Sequence, residues 1–581
     1  MQATRKLVRF LKPYWHWAVL APLSMMLEVA MDLMQPRLLE HIVDQGIARL
    51  DMVVVINTGG WMLGLAVIGM VGGVGCTILA VLASQGFGAD LRRALFCQVQ
   101  ALSFGNLDKL ETGALITRLT NDVSQVQEAV LIMLRIMVRA PLMMVGSVIM
   151  AVLTSPQLAL LFMVLLPVLG AAVVWIVNKT YPMFSQVQRQ LDALNTVMQE
   201  NLAGVRVVKA FARSHYEKQR FSRTNDNLMT QNIRAVRTSA LTMPIMMLTL
   251  NVGIVGALWL GGRQVTVGGM QVGQVIAFIN YLTQTLMSLM MVSMLVIRVS
   301  RAEASAQRVL EVLHSEPEVK DMPDACRAFA AQGHVAFEQV SFNYNGSDHD
   351  PVLKNINFEV EPGQTVAILG ATGAGKSSLI SLIPRFYDVL GGRVLLDGVD
   401  VRTLDQTALR SKISIALQES VLFSGTIRDN IRYGRPDASD DEVIAAAKMA
   451  QAHDFISKFP DGYDSAVGQR GVNLSGGQKQ RLAIARALLT QPVVLILDDS
   501  TSAVDVETEG KIQEALTLLR HKQTCLVVAQ RISTVLTADK ILVLDDGQIV
   551  AAGDHHELLA SSPIYREIYE SQMDNGVIAH G

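Results

Sequence analysis

Six long apolar stretches in the first 310 residues are the feature that most restricts the fold of this chain. A helix that crosses a bilayer needs about 20 apolar residues. Six windows meet that requirement, at about 16–40, 56–83, 131–154, 156–178, 240–262 and 270–297. The rest of the 581 residues alternates strand-like and helix-like segments of ordinary polarity, and the length exceeds that of one domain. The pattern predicts an all-α membrane domain over 1–312, a linker over 313–334 and a soluble α/β domain over 335–575.

Basic residues predict the orientation of the membrane domain. The long connections after the second and fourth windows are rich in Arg and Lys, whereas the opposite connections carry little beyond Arg49 and Arg263. Cytoplasmic loops carry an excess of basic residues, so both long connections and both termini are expected in the cytoplasm. We expect an integral membrane protein, in the inner membrane of a bacterium. The long connections look helical and are predicted to turn back near Phe104–Gly113 and Phe211–Arg220.

Four charged residues fall within the apolar windows. Glu28 and Asp32 are four residues apart and share a helix face. Acids inside a membrane are costly and usually face a protein interior or an aqueous cavity. Two interpretations are open: the acids line a substrate cavity, or they pair with a basic residue for structural reasons. Arg135 and Arg139 also share a face, and we expect them to reach lipid phosphates near the cytoplasmic boundary.

Charge and cysteine usage exclude several classes of protein. The formal net charge is −2, which gives no support for a nucleic-acid partner. Cys76, Cys97, Cys326 and Cys525 have unrelated spacings, so they form neither a zinc pattern nor a disulfide framework. Membrane lipid is the partner that the six apolar windows imply.

A phosphate-binding motif lies in the soluble half, between a predicted buried strand and a predicted helix. The strand beginning at Thr365 leads directly into the Walker A loop Gly370-Ala-Thr-Gly-Ala-Gly-Lys-Ser. Glycines let backbone N–H groups wrap the phosphates. The predicted nucleotide contacts are Gly370, Thr372, Gly373, Ala374, Gly375, Lys376, Ser377 and Ser378.

The same motifs predict Mg²⁺ together with ATP. The Ser377 hydroxyl is a predicted metal ligand. A second apolar strand, Val493-Val-Leu-Ile-Leu-Asp, ends in the carboxylate of Asp498, the arrangement of a Walker B motif. Many P-loop ATPases share these two motifs.

The segment between the two Walker motifs narrows the class. It contains Leu474-Ser-Gly-Gly-Gln478, and with this sequence the chain resembles the ATP-binding cassette (ABC) transporter family, whose signature it is. The resemblance covers nearly the whole chain and implies an exporter-type six-helix membrane domain fused to an ABC nucleotide-binding domain. It also implies a dimer in which each ATP lies between the Walker motifs of one cassette and the signature of the other. The residues it adds to the site are Gln418 as a catalytic and metal contact, and Tyr344, Ser475, Gly476, Gly477, Gln478 and Asp505 as nucleotide contacts.

Three residues depart from the family pattern. Asp499 stands where the family usually has the glutamate that polarises the attacking water, and one methylene less withdraws the carboxylate. Gln530 stands where a histidine contacts the γ-phosphate, and Gln469 stands where glutamate is usual. These departures resemble the degenerate-site subunit of a heterodimeric multidrug exporter. A homodimer in which Asp499 acts as a slower base is the alternative.

The leading function is thus a subunit of an ATP-driven exporter of amphipathic or drug-like compounds, an ATPase that is weak at its own Walker site. An exporter-fold importer of iron chelates is a further alternative. A soluble cassette ATPase acting on DNA or ribosomes is disfavoured by the six apolar windows.

Overall fold

The computed structural model describes residues 2–344, 351–517 and 523–578. It divides into two compact units. The first unit comprises Met1–Gln100 and Thr112–His314, and the second comprises Ala101–Glu111 and Ser315–Gly581. The short segment Ala101–Glu111, which the sequence assigned to the membrane domain, therefore belongs with the soluble unit.

Helices make up nearly all of the first 314 residues. They are α1 (Gln2–Leu7), α2 (Trp15–His41), α3 (Met52–Ala101), α4 (Phe104–Lys109), α5 (Thr112–Thr117), α6 (Val123–Leu134), α7 (Ile136–Thr154), α8 (Pro156–Ala203), α9 (Val205–Ala210), α10 (Ser214–Ala240), α11 (Thr242–Thr266) and α12 (Val272–His314). Two π-helical turns, Ile42–Ile47 and Arg118–Asp122, follow α2 and α5.

Six helical stretches of the described residues are long and apolar enough to cross a membrane. Each overlaps one of the six windows found in the sequence, which confirms the predicted membrane domain. They run over Ala3–Ile47, Met52–Ala101, Thr112–Thr154, Pro156–Ala203, Ser214–Thr266 and Val272–Val292.

The membrane unit has a packed interior and an apolar exterior. Phe162, Phe278 and Tyr281 form the centre of a buried cluster contributed by α8, α11 and α12. The Tyr281 hydroxyl donates a hydrogen bond to the Leu33 carbonyl at 2.9 Å, so this buried polar group is satisfied. Large side chains such as Trp61 point outward, and an exposed apolar surface of this extent is explained by contact with lipid.

Both cytoplasmic turns lie at their predicted positions. The first is α4. The second follows α9, at 211–213, the start of the predicted Phe211–Arg220. Phe211 ends α9 with non-helical angles and Ala212 adopts a positive φ of 52°, so the chain has already turned back when α10 begins at Ser214.

The acids of the first spanning helix are paired. Arg139 of α7 forms ion pairs with both Glu28 and Asp32, the latter at 3.1 Å. This arrangement favours the structural pairing over an acidic substrate cavity. It also corrects the expectation that Arg139 reaches lipid phosphates, because its guanidinium is held inside the unit by two carboxylates.

Twelve strands form three sheets in the described part of the soluble unit. The strands are β1 (Val335–Phe342), β2 (Leu353–Val360), β3 (Thr365–Gly370), β4 (Gly391–Leu396), β5 (Val399–Asp400), β6 (Ile413–Ala416), β7 (Gly425–Thr426), β8 (Ala466–Val467), β9 (Val494–Asp498), β10 (Thr524–Val528), β11 (Lys540–Asp545) and β12 (Gln548–Gly553).

The largest sheet has the order β12-β11-β3-β10-β9-β6 and is parallel except for β12. A smaller antiparallel sheet has the order β2-β1-β4-β5, and β7 pairs with β8. Strands β3 and β9 are buried almost throughout, which explains their continuous apolar runs. Because β3, β10, β9 and β6 are parallel neighbours, the loops after their carboxyl ends meet at one edge.

Helices cover this sheet, and one of them begins within the signature, at Gly476. They are α13 (Lys376–Leu382), α14 (Gln406–Arg410), α15 (Ile427–Arg432), α16 (Asp440–Met449), α17 (His453–Ile456), α18 (Gly476–Leu489), α19 (Val506–Thr517), α20 (Ile532–Val535), α21 (His555–Ser561) and α22 (Pro563–Ile578).

Helix α4 packs within the soluble unit through aromatic side chains. The Phe104 ring stacks on Phe386 with centroids 4.3 Å apart, and the Tyr387 hydroxyl donates to Asp108 at 2.6 Å. Ser103 begins the helix with a capping box closed by Asn106. The first predicted turn is thus anchored beside the residues that follow α13.

Candidate nucleotide site

An open cavity of about 330 Å³ lies where the loops after β3, β10, β9 and β6 converge. It brings together most of the predicted Walker residues. Val352 and Val528 also line it; neither was singled out in the sequence, because an apolar residue next to a motif carries no signal of its own. The lining residues are Tyr344, Val352, Thr372, Gly373, Gly375, Lys376, Ser377, Ser378, Gln418, Asp498, Asp499, Val528 and Gln530.

The phosphate-binding loop depends on backbone conformations that favour glycine. Gly373 and Gly375 have φ values of +89° and +98°. A Cβ at Gly375 would lie 2.8 Å from a Leu353 methyl. Both the positive φ and this close contact therefore disfavour a side chain at Gly375. The Lys376 ammonium donates to the carbonyls of Gly370 and Ala371, both at 2.8 Å, and burial lowers its pKa. Lys376 is therefore held at the loop, where phosphate oxygens would replace its carbonyl partners.

Ser377 and Asp498 offer oxygen ligands suited to a hard divalent cation. The Ser377 hydroxyl donates to Asp498 Oδ1 at 3.2 Å, across the gap between the Walker A and Walker B segments. Burial raises the pKa of Asp498, and the neighbouring Asp499 charge raises it further. A bound cation would relieve both effects. The donor set therefore fits Mg²⁺.

Tyr344 lines the cavity beside the phosphate-binding loop. Its hydroxyl lies 2.8 Å from Ser378 Oγ, and its ring meets Tyr387 edge-on at 5.1 Å. The side chain keeps 41% of its surface exposed, so its ring remains accessible to a nucleotide base. Its predicted nucleotide contact stays a prediction.

Two glutamines hold the carboxylate of Asp499. Its Oδ2 accepts a hydrogen bond from Gln530 Nε2 at 3.0 Å and another from Gln418 Nε2 at 3.3 Å. Burial raises the pKa of Asp499, and the Lys376 charge opposes that rise. The backbone of Asp499 has φ +47°, a left-handed conformation that Asp tolerates better than most residues. Residue 499 is thus a short carboxylate already bound by two amides.

The signature residues lie outside this cavity. Ser475 caps α18: its hydroxyl accepts from the Gln478 N–H at 3.3 Å, and the Gln478 side chain accepts from the Ser475 N–H at 2.9 Å. Gly477 approaches the Ala503 carbonyl so closely that a Cβ would lie 2.7 Å from its oxygen. Ser475 and the first turn of α18 therefore present a polar helix start outside the cavity that holds the Walker residues.

Asp505 has a local partner. Its carboxylate accepts a hydrogen bond from the Thr508 N–H at 2.9 Å and so caps α19. Like the signature, it lies outside the cavity that holds the Walker residues. Its predicted nucleotide contact stays a prediction.

Sequence reasoning missed a buried carboxylate behind Asp499. Glu509 accepts from Thr501 at 2.8 Å, from Thr534 at 2.7 Å and from the Arg531 guanidinium at 3.1 Å. These bonds tie the loop after β9 to the segment after Gln530. No local motif identifies Glu509, because Arg531 and Thr534 come from a segment distant in sequence.

Comparisons with known proteins agree with these features. Residues 19–289 match the model of the ABC transporter transmembrane region, and residues 353–502 match the ABC transporter model. The chain belongs to the ABC transporter family. This ABC transporter chain is therefore an integral membrane protein whose ATPase domain is cytoplasmic, and ATP hydrolysis drives its transport.

Individual relatives cover the chain almost from end to end. The uncharacterized ABC transporter ATP-binding protein YfiB of Bacillus subtilis (strain 168) is 42% identical over 98% of each chain. An ATP-dependent lipid A-core flippase of Syntrophus aciditrophicus (strain SB) is 36% identical over 85% of this chain and 82% of its own. A solved bacterial Atm1-family ABC exporter with ATP bound has a TM-score of 0.75, 26% identity and 98% coverage of both chains. The exporter-type architecture is thereby confirmed.

Proposed function

We propose that this chain is one subunit of a heterodimeric exporter and that its own Walker motifs form a slow ATP site. The observation that carries the proposal is the short Asp499 carboxylate, bound by Gln530 at 3.0 Å and Gln418 at 3.3 Å. A general base must reach the water that it polarises. A carboxylate withdrawn by one methylene and engaged by two amide donors is poorly placed for that role.

The binding parts of the same site are intact. The Walker A backbone and Lys376 would hold the phosphates, and the Tyr344 ring would contact the adenine. Ser377 and Asp498 would hold Mg²⁺, which supplies positive charge against the phosphate oxygens. The site is therefore built to bind MgATP and to retain it for longer than a fully catalytic site.

The signature would act at the other site of the dimer. The free N–H groups at the start of α18 carry a partial positive charge, and Ser475 orients them through its cap. Such a helix start can hold a γ-phosphate only across a dimer interface, since it lies outside this chain's own nucleotide cavity. We infer that it completes the partner's catalytic site.

The proposed cargo is an amphipathic or lipid-like compound that moves outward. The relative named as a lipid A-core flippase supports this class.

The decisive test compares two variants in the assembled pump. Asp499→Asn should leave most steady-state ATPase activity, because it removes a carboxylate that does little chemistry. Ser475→Arg should nearly abolish activity, because a bulky cation displaces the γ-phosphate contact at the fast site. If Asp499→Asn proves as damaging as Ser475→Arg, this chain's own site is catalytic and the homodimer is correct.

Co-purification from native membranes provides an independent test of the partner. We expect a second cassette chain with Glu and His at the positions of Asp499 and Gln530. Recovery of this chain alone as an active dimer would contradict the heterodimer.

A further inference from the structure

An open cavity of about 430 Å³ lies at the end of the first spanning stretch, beside the short connection to α3. The distribution of basic residues assigns this end of the membrane unit to the outer side of the membrane. The cavity walls come from the last turns of α2, the π-helical turn after it, Leu65 of α3 and Gln271 just before α12. All of these residues belong to the membrane unit.

Asp44 is the buried acid of this cavity. Only 8% of its surface is exposed, and the π-helical turn Ile42–Ile47 carries it. Asp44 Oδ1 accepts a hydrogen bond from the Gly273 N–H, in the first turn of α12, at 2.6 Å. A Cβ at Gly273 would lie 2.6 Å from Oδ2, so the glycine makes room for the carboxylate.

The second oxygen of Asp44 has no partner. Oδ2 is buried and accepts no hydrogen bond from any described residue. A desolvated carboxylate oxygen without a donor costs free energy, and intramembrane acids are retained mainly where they have a function. Glu28 and Asp32 differ, because Arg139 already pairs with both. Of these three acids, Asp44 is the one left to bind a ligand.

The surroundings of Asp44 define the ligand that fits. Arg37, Glu40 and Asp44 line the cavity together, which gives a formal charge of −1 with His41 neutral. Its remaining walls include the apolar side chains of Met34, Leu38 and Leu65. A ligand that complements them carries one positive charge, at least one N–H donor for Oδ2, and an apolar body.

We propose that Asp44, assisted by Glu40, binds the protonated amine of an amphipathic cation at the outer end of the membrane domain. This inference rests on the proposed export function, for which it names the substrate class. An N–H group of the ammonium would donate to Oδ2, while Oδ1 keeps its bond to the Gly273 N–H. Apolar parts of the same compound would lie against the aliphatic walls.

The test measures binding of a dansyl-labelled long-chain primary amine to the full-length pump in lipid nanodiscs without ATP. Asp44→Asn is the informative variant, because its side-chain oxygen can still accept from the Gly273 N–H while the negative charge is lost. Loss of a charge-assisted hydrogen bond should raise the dissociation constant about tenfold or more. Asp51→Asn is the matched control: Asp51 is an exposed acid near the same end that caps α3 and does not line the cavity. It should bind the amine as the wild type does.

A trimethylammonium analogue of the probe separates hydrogen bonding from charge. It carries the same charge without an N–H, so it should bind more weakly than the amine and respond less to Asp44→Asn. Equal affinity of wild type and Asp44→Asn for the amine, or equal weakening by Asp51→Asn, would overturn the proposal. Displacement of the amine by sodium chloride but not by choline chloride would also overturn it, since the site would then be one for an inorganic cation.

Two further measurements keep the result interpretable. If Asp44→Asn fails to assemble, Glu40→Gln replaces it and should weaken amine binding by a smaller factor, with no weakening counting against the proposal. Binding is measured without nucleotide, so it is independent of the ATPase comparison of Asp499→Asn with Ser475→Arg. If the ATPase comparison contradicts the heterodimer, the amine site is unaffected. If amine binding fails, the heterodimer is equally unaffected.

Discussion

Converting the slow site into a fast one tests the proposed asymmetry most directly. The perturbation is Asp499→Glu combined with Gln530→His, which restores the family residues at both catalytic departures. The longer side chain moves the carboxylate outward by about 1 Å, since a C–C bond is about 1.5 Å long. It also releases the carboxylate from the Gln530 amide, because that donor is replaced.

The expected gain and its cost differ in size. A well-placed general base contributes about 10²–10⁴ in rate. Against this, residue 499 has φ +47°, which suits Glu less well than Asp. Strain and the lost hydrogen bonds together should destabilise the cassette by about 1–3 kcal/mol. That cost is small beside the usual stability of a domain, about 5–15 kcal/mol, so the variant is expected to fold.

The assay needs a pump in which only this chain's Walker site can hydrolyse ATP. Ser475→Arg in the same chain silences the partner's site, and phosphate release then measures the site of residue 499. The conversion should raise this residual rate at least about tenfold, as a lower limit of the general-base contribution. Adding Lys376→Ala should abolish the gain, which confirms where the hydrolysis occurs.

Two results would contradict the proposed asymmetry. The first is brisk turnover of Ser475→Arg before any conversion, which would mean that Asp499 already works as a base. The second is an unchanged rate after conversion while ATP binding is retained. In that case the slow chemistry has a cause other than the two departing residues.

Three further predictions concern stability and the second site. Arg139→Ala should lower the stability of the membrane unit by about 1–3 kcal/mol in thermal unfolding, because it leaves two partly buried carboxylates unpaired. Arg135→Ala removes no such ion pair and should have a smaller effect. Asp498→Asn should raise the melting temperature without nucleotide at neutral pH. Burial raises the pKa of Asp498, so the native state loses stability as pH rises through that pKa, by about 1.4 kcal/mol for each unit by which the pKa is raised. The variant should also lose stabilisation by MgATP. Ser475→Ala and Ser439→Ala each remove a capping box, and each should lower the stability of the cassette by about 1 kcal/mol. Only Ser475→Ala should slow ATP turnover. Equal turnover by the two variants would contradict a role of the signature at the partner's site.

Long-period patterns made most of the fold predictable from sequence. The six apolar windows reappear as six spanning-length helices of the described residues, because satisfying backbone hydrogen bonds in lipid leaves helices as the simplest solution. The Walker A strand, loop and helix occur as β3, the glycine loop and α13. The second cytoplasmic turn, at 211–213, falls at the start of the predicted segment, where Ala212 adopts a positive φ.

Contacts between distant residues were the part that the sequence could not supply. The sequence marks Asp499 and Gln530 as unusual, but not the hydrogen bond that joins them. The same holds for Arg139 and its two acids, where each partner had a plausible alternative of its own. Asp44 carried no signal in the sequence, because its unpartnered oxygen becomes apparent only when the approach of Gly273 is known.

One glutamine links Asp499 to the signature helix within a single cassette. Gln480 of α18 donates to the Ser502 hydroxyl at 3.1 Å and accepts from the Ala503 N–H at 2.9 Å, and Ser502 in turn donates to the Asp499 carbonyl at 2.9 Å. A displacement of Asp499 by bound nucleotide would therefore be passed through two side chains to the helix that begins with the signature. Under the proposed asymmetry, an ATP held for longer at this chain's Walker motifs would set the position of α18 and, with it, the γ-phosphate contact at the partner's site.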